Sequence, residues 1–122
     1  MNDLAECMSW HDVPVEYSEA WRDVFRISQE GLDLTKPCPV CGAQELHRWY
    51  LPWYPEEKIV QGQHFVARGS QWQWCAHCCS FEHSSGLVPD WWSCTMSVDV
   101  SKLTAYPDEL ERVRLKFNNQ GT

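Results

Sequence analysis

Pro37-Cys38-Pro39-Val40-Cys41-Gly42 (residues 37–42) and Cys75-Ala76-His77-Cys78-Cys79 (residues 75–79) decide how this chain is read. A Cys-x-x-Cys turn sets two sulfurs on one side of a metal ion while the backbone amides of the turn point at the thiolates, and two such turns complete a tetrahedral shell. The first stretch is the stronger half, because Gly42 supplies the left-handed residue that lets a chain turn back into a strand. The second stretch offers four potential ligands within five positions. Spacing selects Cys75 with Cys78. Cys79, as Cys75-x-x-x-Cys79, and His77 are the alternative ligands. The expected site is one structural Zn2+ held by Cys38, Cys41, Cys75 and Cys78, and a shell of four cysteines leaves no coordination position for a water.

The 33 residues between Cys41 and Cys75 suffice for a hairpin or meander whose ends return the second pair to the first. His47–Trp53 is rich in aromatics, Gln63–Ala67 alternates around Phe65, and Trp72–Trp74 leads into the second pair, with Gly62 and Gly69-Ser70 as turn signals. Pro52 and Pro55 require the first of these strands to end there or to run along an edge. With three or four antiparallel strands between two cysteine knuckles, residues 38–79 resemble the zinc-ribbon family, a likeness specific for metal and silent on function. It implies a small antiparallel sheet clamped at one end by the metal.

Outward from this sheet, Ser18 reads as a helix cap, Trp21, Val24, Phe25 and Ser28 recur at helical spacing, and Gly31 ends the run. Trp72 and Trp74 share a parity and face one side of the sheet, with the Trp21 and Phe25 helix as the candidate cover. Residues 82–106, with Gly86, Pro89 and Trp91-Trp92, read as an ordered loop. Pro107 then opens a second helix with Asp108 and Glu109 at its positive end and an apolar stripe of Leu110, Val113 and Phe117. The expected fold class is α+β: a small antiparallel zinc-ribbon sheet of three to four strands flanked by an N-terminal and a C-terminal helix. A single domain spans 1–122, divided into an acidic helical segment (1–36), the ribbon (37–82), and a wrapping loop with the C-terminal helix (83–122).

Composition narrows the function classes. No run approaches the roughly 18 apolar residues of a membrane span, and a start carrying Asp3 and Glu6 does not read as a signal peptide, so a cytoplasmic location is expected. Seven cysteines are an odd number for a disulfide scaffold, and Cys7 and Cys94 read as ordinary packed thiols. The net charge is −7, and residues 1–36 carry eight acidic groups against three basic ones. Four thiolates around one divalent ion bring the total to about −9. Nucleic-acid binders carry a basic stripe that releases counterions, and none is legible here; the charge points to a basic protein partner.

An enzyme is not expected. Pro37-Cys38-x-x-Cys41 resembles the second half of the zinc-deaminase signature, but the only upstream histidine, His11, is followed by Asp12 and Val13 where His-x-Glu is needed. His47, His64 and His83 stand singly, without an arranged carboxylate or nucleophile, and no small-molecule substrate is expected. Eight tryptophans are many for 122 residues, and most belong in the core, where each indole buries about 200 Å². Trp53-Tyr54, between two prolines, and Trp91-Trp92 are harder to bury and are the candidate partner anchors, together with the acidic Glu19, Asp23 and Glu30. In size, acidity and simplicity the chain resembles the immunity proteins of bacterial toxin systems, which implies binding and neutralisation of a cognate basic toxin, such as a nuclease. A nucleic-acid-binding ribbon and a regulatory zinc-ribbon subunit are the competing readings.

Overall fold

The computed structural model describes residues 9–27, 32–92 and 96–120. Its elements in chain order are β1 (His11–Asp12), α1 (Ser18–Ile27), β2 (Leu46–Val60), β3 (Gln63–Cys75), β4 (Ser80–Pro89) and α2 (Asp108–Gln120). The fold is α+β, with a four-stranded sheet in the order β1-β4-β3-β2. The sheet is mixed rather than purely antiparallel: β2/β3 and β3/β4 are antiparallel, whereas the two-residue β1 lies parallel to β4, with His11 opposite Ser80.

The long β2–β3 hairpin is the frame. Its two-residue turn, Gln61-Gly62, has φ of 51° and 82°, the left-handed pair whose twist matches that of the flanking strands. Pro52 does not end β2; the strand continues to Val60 with register shifts between Pro52 and Tyr54 and between Pro55 and Lys58. It can do so because β2 is an edge strand, where a missing N–H costs no ladder bond.

Two expectations are corrected here. Gly69 is no turn residue but lies inside β3 opposite Pro52. A Cβ at Gly69 would meet the Leu51 carbonyl oxygen at 2.5 Å and the Pro52 Cα at 2.9 Å, so close backbone approach is what requires glycine. Residues 82–89, read as the start of a loop, continue β4 instead; their serines and Gly86 carry little strand propensity, and pairing with β3 along Phe65–Trp74 supplies the order.

Alternation divides the core into two layers. Trp49, Trp72, Trp74 and Phe81 share one face and pack with Met96 and Leu110. On the other face Leu46 and Cys75 meet Trp21 and Phe25 of α1, with Leu34 and Cys38. The tryptophans of β3 are thus covered by α2 and the segment before it, and α1 covers the opposite face, contrary to expectation. Parity explains this: Cys75 is one residue from Trp74, so a helix packed on the cysteine end sits on the side that the indoles leave.

Helix α1 does not use Ser18 as an N-cap acceptor; a single 3₁₀ turn at Val15–Tyr17 precedes it, and the Ser18 hydroxyl donates back to the Val15 carbonyl at 2.9 Å. The Trp21 and Phe25 rings pack as an i,i+4 pair, 5.1 Å apart and tilted by 45°. In α2, Glu109 and Arg112 pair at the surface, while Glu111 and Arg114 form a buried pair with Nε and Nη2 donating at 2.9 and 2.7 Å. The expected helix end at Gly31 and the side chain of Phe117 lie outside the described residues. No helix among those described is long and apolar enough to cross a membrane.

Candidate metal centre

The hairpin closes the distance between the cysteine pairs: the first pair precedes β2, β3 ends at Cys75, and Cys75 lies opposite Leu46. The Ala76 N–H donates to the Glu45 carbonyl at 2.9 Å, joining the second turn to the start of β2. The four sulfurs of Cys38, Cys41, Cys75 and Cys78 lie within 4.8 Å of one another. Across the two turns, Cys38 Sγ is 3.8 Å from Cys78 Sγ and Cys41 Sγ is 3.7 Å from Cys75 Sγ. A tetrahedron of sulfurs each about 2.3 Å from a central ion has edges of about 3.8 Å. The cluster therefore fits a four-coordinate metal, and all four thiols are free of disulfides.

The two turns share one geometry. The Val40 N–H donates to Cys38 Sγ at 3.3 Å, and the His77 N–H donates to Cys75 Sγ at 3.4 Å. The Gly42 N–H reaches the Cys38 carbonyl at 2.8 Å, and the Cys79 N–H reaches the Cys75 carbonyl at 3.0 Å. Gly42 has φ +83° and Cys79 has φ +67°. Cys79 is thus the left-handed residue that closes the second turn, and it is disulfide-bonded, to a partner outside the described residues. Among the alternatives, then, Cys78 is the residue that joins the cluster. His77 is exposed and contributes its backbone N–H. Cys7 and Cys94 lie outside the described residues.

The four thiols of the cluster set one another's acidity. Cys38 is lowered to about 5, first by a hydrogen bond from the Cys75 thiol and then, against burial, by the Cys41 and Val40 amides. That same bond, with burial, pushes Cys75 up, and burial raises Cys41. Ser80, fully buried, sets its Oγ 3.3 Å from Cys78 Sγ; toward a thiolate the hydroxyl is the donor, the outer support that fixes a metal ligand. The His11 Nε2–H donates to the Cys78 carbonyl at 2.8 Å, so β1 braces the second turn.

The other candidate residues separate into two groups. Trp53 and Tyr54 are 52% and 57% exposed on the outer strand, and Glu19 is exposed on α1, while Asp23 is half-buried and pairs with Arg26 at 2.6 Å. Glu30 lies outside the described residues. Trp91 and Trp92 are half-buried instead: the Trp91 Nε1–H donates to Gln63 Oε1 at 3.0 Å, and the Arg48 guanidinium stands 4.7 Å over the Trp92 ring.

His47 and His64, read from sequence as standing singly, each meet carboxylates, whereas His83 meets an indole. Buried His47 donates from Nδ1 to Asp33 at 2.7 Å, which holds the Asp33 carboxyl below its usual range. His64 lies 3.0 Å from Glu57 and 3.1 Å from Asp90, and these bonds, Glu57 first, raise its pKa. His83 stacks on Trp72 at 4.6 Å, and burial lowers it. These contacts come from cross-strand register and chain return, which sequence proximity does not reveal.

The fold and its cluster define a small α+β chain with a four-cysteine centre suited to a metal ion. No protein-family model, curated protein or solved structure matches it.

Proposed function

We propose that this chain is a protein-binding module, stapled by one structural zinc in a zinc-ribbon-like site, that engages and neutralises a basic partner in the cytoplasm. A toxin domain with a basic face, such as a nuclease, is the kind of partner its charge suits, which makes the chain an immunity protein. Zinc is favoured because four thiolates in a tetrahedron suit a borderline-soft ion with no geometric preference of its own. The closed shell assigns the metal a structural role rather than a catalytic one.

The observation that carries the binding role is the outer hairpin. Trp53 and Tyr54, with Ile59 at 72% exposure, lie on β2, whose far edge is bridged at His47 by Asp33 and, beyond Arg48, has no strand paired to it among the described residues. An exposed edge bearing aromatic groups is suited to strand addition by another chain, with the indole and phenol as anchors. The net charge of −7 steers a basic partner toward it.

The test is co-expression with any basic polypeptide that a neighbouring gene encodes, followed by affinity measurement on the purified pair. Trp53→Ala with Tyr54→Ala is expected to weaken binding by about 2 kcal/mol or more, roughly thirtyfold, without lowering the melting temperature. Unchanged affinity in the double variant sinks the hairpin reading. Binding to single-stranded DNA or RNA with a steep salt dependence, in place of protein binding, would transfer the role to nucleic acid.

A further inference from the structure

Helix α1 covers only the metal end of its sheet face. Beyond it, between α1, the β2–β3 turn and Trp91-Trp92, lies an open cavity of about 480 Å³, within the size range of small-molecule sites. We propose that this cavity binds a mononucleotide, a planar heterocycle carrying a phosphate, a function separate from the metal centre and from the outer hairpin.

Its lining has the three parts such a ligand needs. Phe65, Trp91 and Trp92 supply aromatic walls, against which a base stacks. Gln73 supplies a reading group: its side chain opens on the cavity and is only 8% exposed, yet its amide has no hydrogen-bond partner among the described residues. A carboxamide offers the paired donor and acceptor that match the edge of a purine. Gln73 stands between Arg48 and Glu82 in the sheet register.

Charge completes the argument. In a chain with 17 acidic and 10 basic residues, the described cavity lining contains Arg22 and Arg26 and no carboxylate. Arg26 is engaged by Asp23 at 2.6 Å, whereas Arg22 has no ion pair among the described residues. Arg22 and Arg26 are one helical turn apart on α1, so both guanidinium groups face the same mouth. A phosphate there gains the forked donors that suit it.

Isothermal titration of the metal-loaded full chain with adenosine 5′-monophosphate tests the proposal. One-to-one binding with a Kd tighter than about 1 mM is expected. Gln73→Leu and Arg22→Gln are each expected to weaken it by about tenfold or more, and adenosine without the phosphate is expected to bind about tenfold more weakly. Arg22 is exposed on α1, so Arg22→Gln keeps the fold and carries the test alone if Gln73→Leu does not fold. Binding weaker than about 1 mM, an affinity that Arg22→Gln leaves unchanged, or inorganic phosphate binding as tightly as the nucleotide would overturn it.

Discussion

Cys79 occupies in the second metal turn the place that Gly42 occupies in the first: each has positive φ, +67° and +83°, and each donates its N–H to the carbonyl of the first cysteine, at 3.0 and 2.8 Å. A non-glycine residue in this conformation costs about 1 kcal/mol. Compared with the parent chain in its reduced state, Cys79→Gly is expected to keep full metal content and to stabilise the chain by up to about 1 kcal/mol, read by denaturant melts. Cys78→Ser is expected to lose most of its metal. Metal analysis showing the reverse pattern would return the ligand role to Cys79.

The metal is expected to hold the hairpin base. Cys38 and Cys75 are both buried within the cluster that includes Trp21, Phe25 and Leu46, while Cys78 is half-buried and Cys41 exposed, so the ion ties that layer to the outer turn residues. Zinc titration should saturate at one ion per chain, and removal by a strong chelator is expected to lower the melting temperature by more than about 10 °C. Identical melts with and without chelator would show that the apolar layers suffice.

On the opposite face, the Trp74 Nε1–H donates to Glu111 Oε1 at 2.8 Å, and the same carboxylate receives Arg114. All three side chains are buried. Glu111→Ala strands a buried guanidinium and an indole N–H, and a loss of about 3–5 kcal/mol is expected in urea unfolding. Replacing Glu111 and Arg114 together by apolar residues is expected to cost far less, because no charge remains unpaired.

His64 bridges Glu57 near the end of β2 and Asp90 just after β4. Its pKa is raised above the ordinary 6.5, first by Glu57 and then by Asp90. The sign follows: this contribution is complete below pH 6.5 and fades as pH rises through the raised value. Histidine NMR titration is expected to show a high His64 midpoint that moves back toward 6.5 in Glu57→Gln. An unmoved midpoint would place His64 outside the ion cluster.

Gly69 is required by β2, whose Leu51 carbonyl would lie 2.5 Å from an added Cβ. Since backbone must shift, Gly69→Ala is expected to cost about 1–3 kcal/mol in thermal or denaturant unfolding, whereas the same change at Gly86, with only a 3.5 Å neighbour, is expected to cost less than about 1 kcal/mol.

What sequence by itself determined was local: the cysteine pairs, the left-handed Gly42, the turn at Gly62, the two amphipathic helices and the α+β class. Each rests on residues a few positions apart, where chemistry and spacing are read directly. Tertiary structure alone decided the rest. Strand β4 exists because β3 pairs with it, and its Ser-Ser-Gly stretch has no strand signal of its own. The parallel β1, the face that each helix covers, and the carboxylates around His47 and His64 depend on register and chain return. The choice of Cys78 over Cys79 is the clearest case. Both are cysteines at the end of one turn, and what separates them is the fold: Cys78 reaches the cluster, whereas Cys79, at φ +67°, closes the turn and is disulfide-bonded.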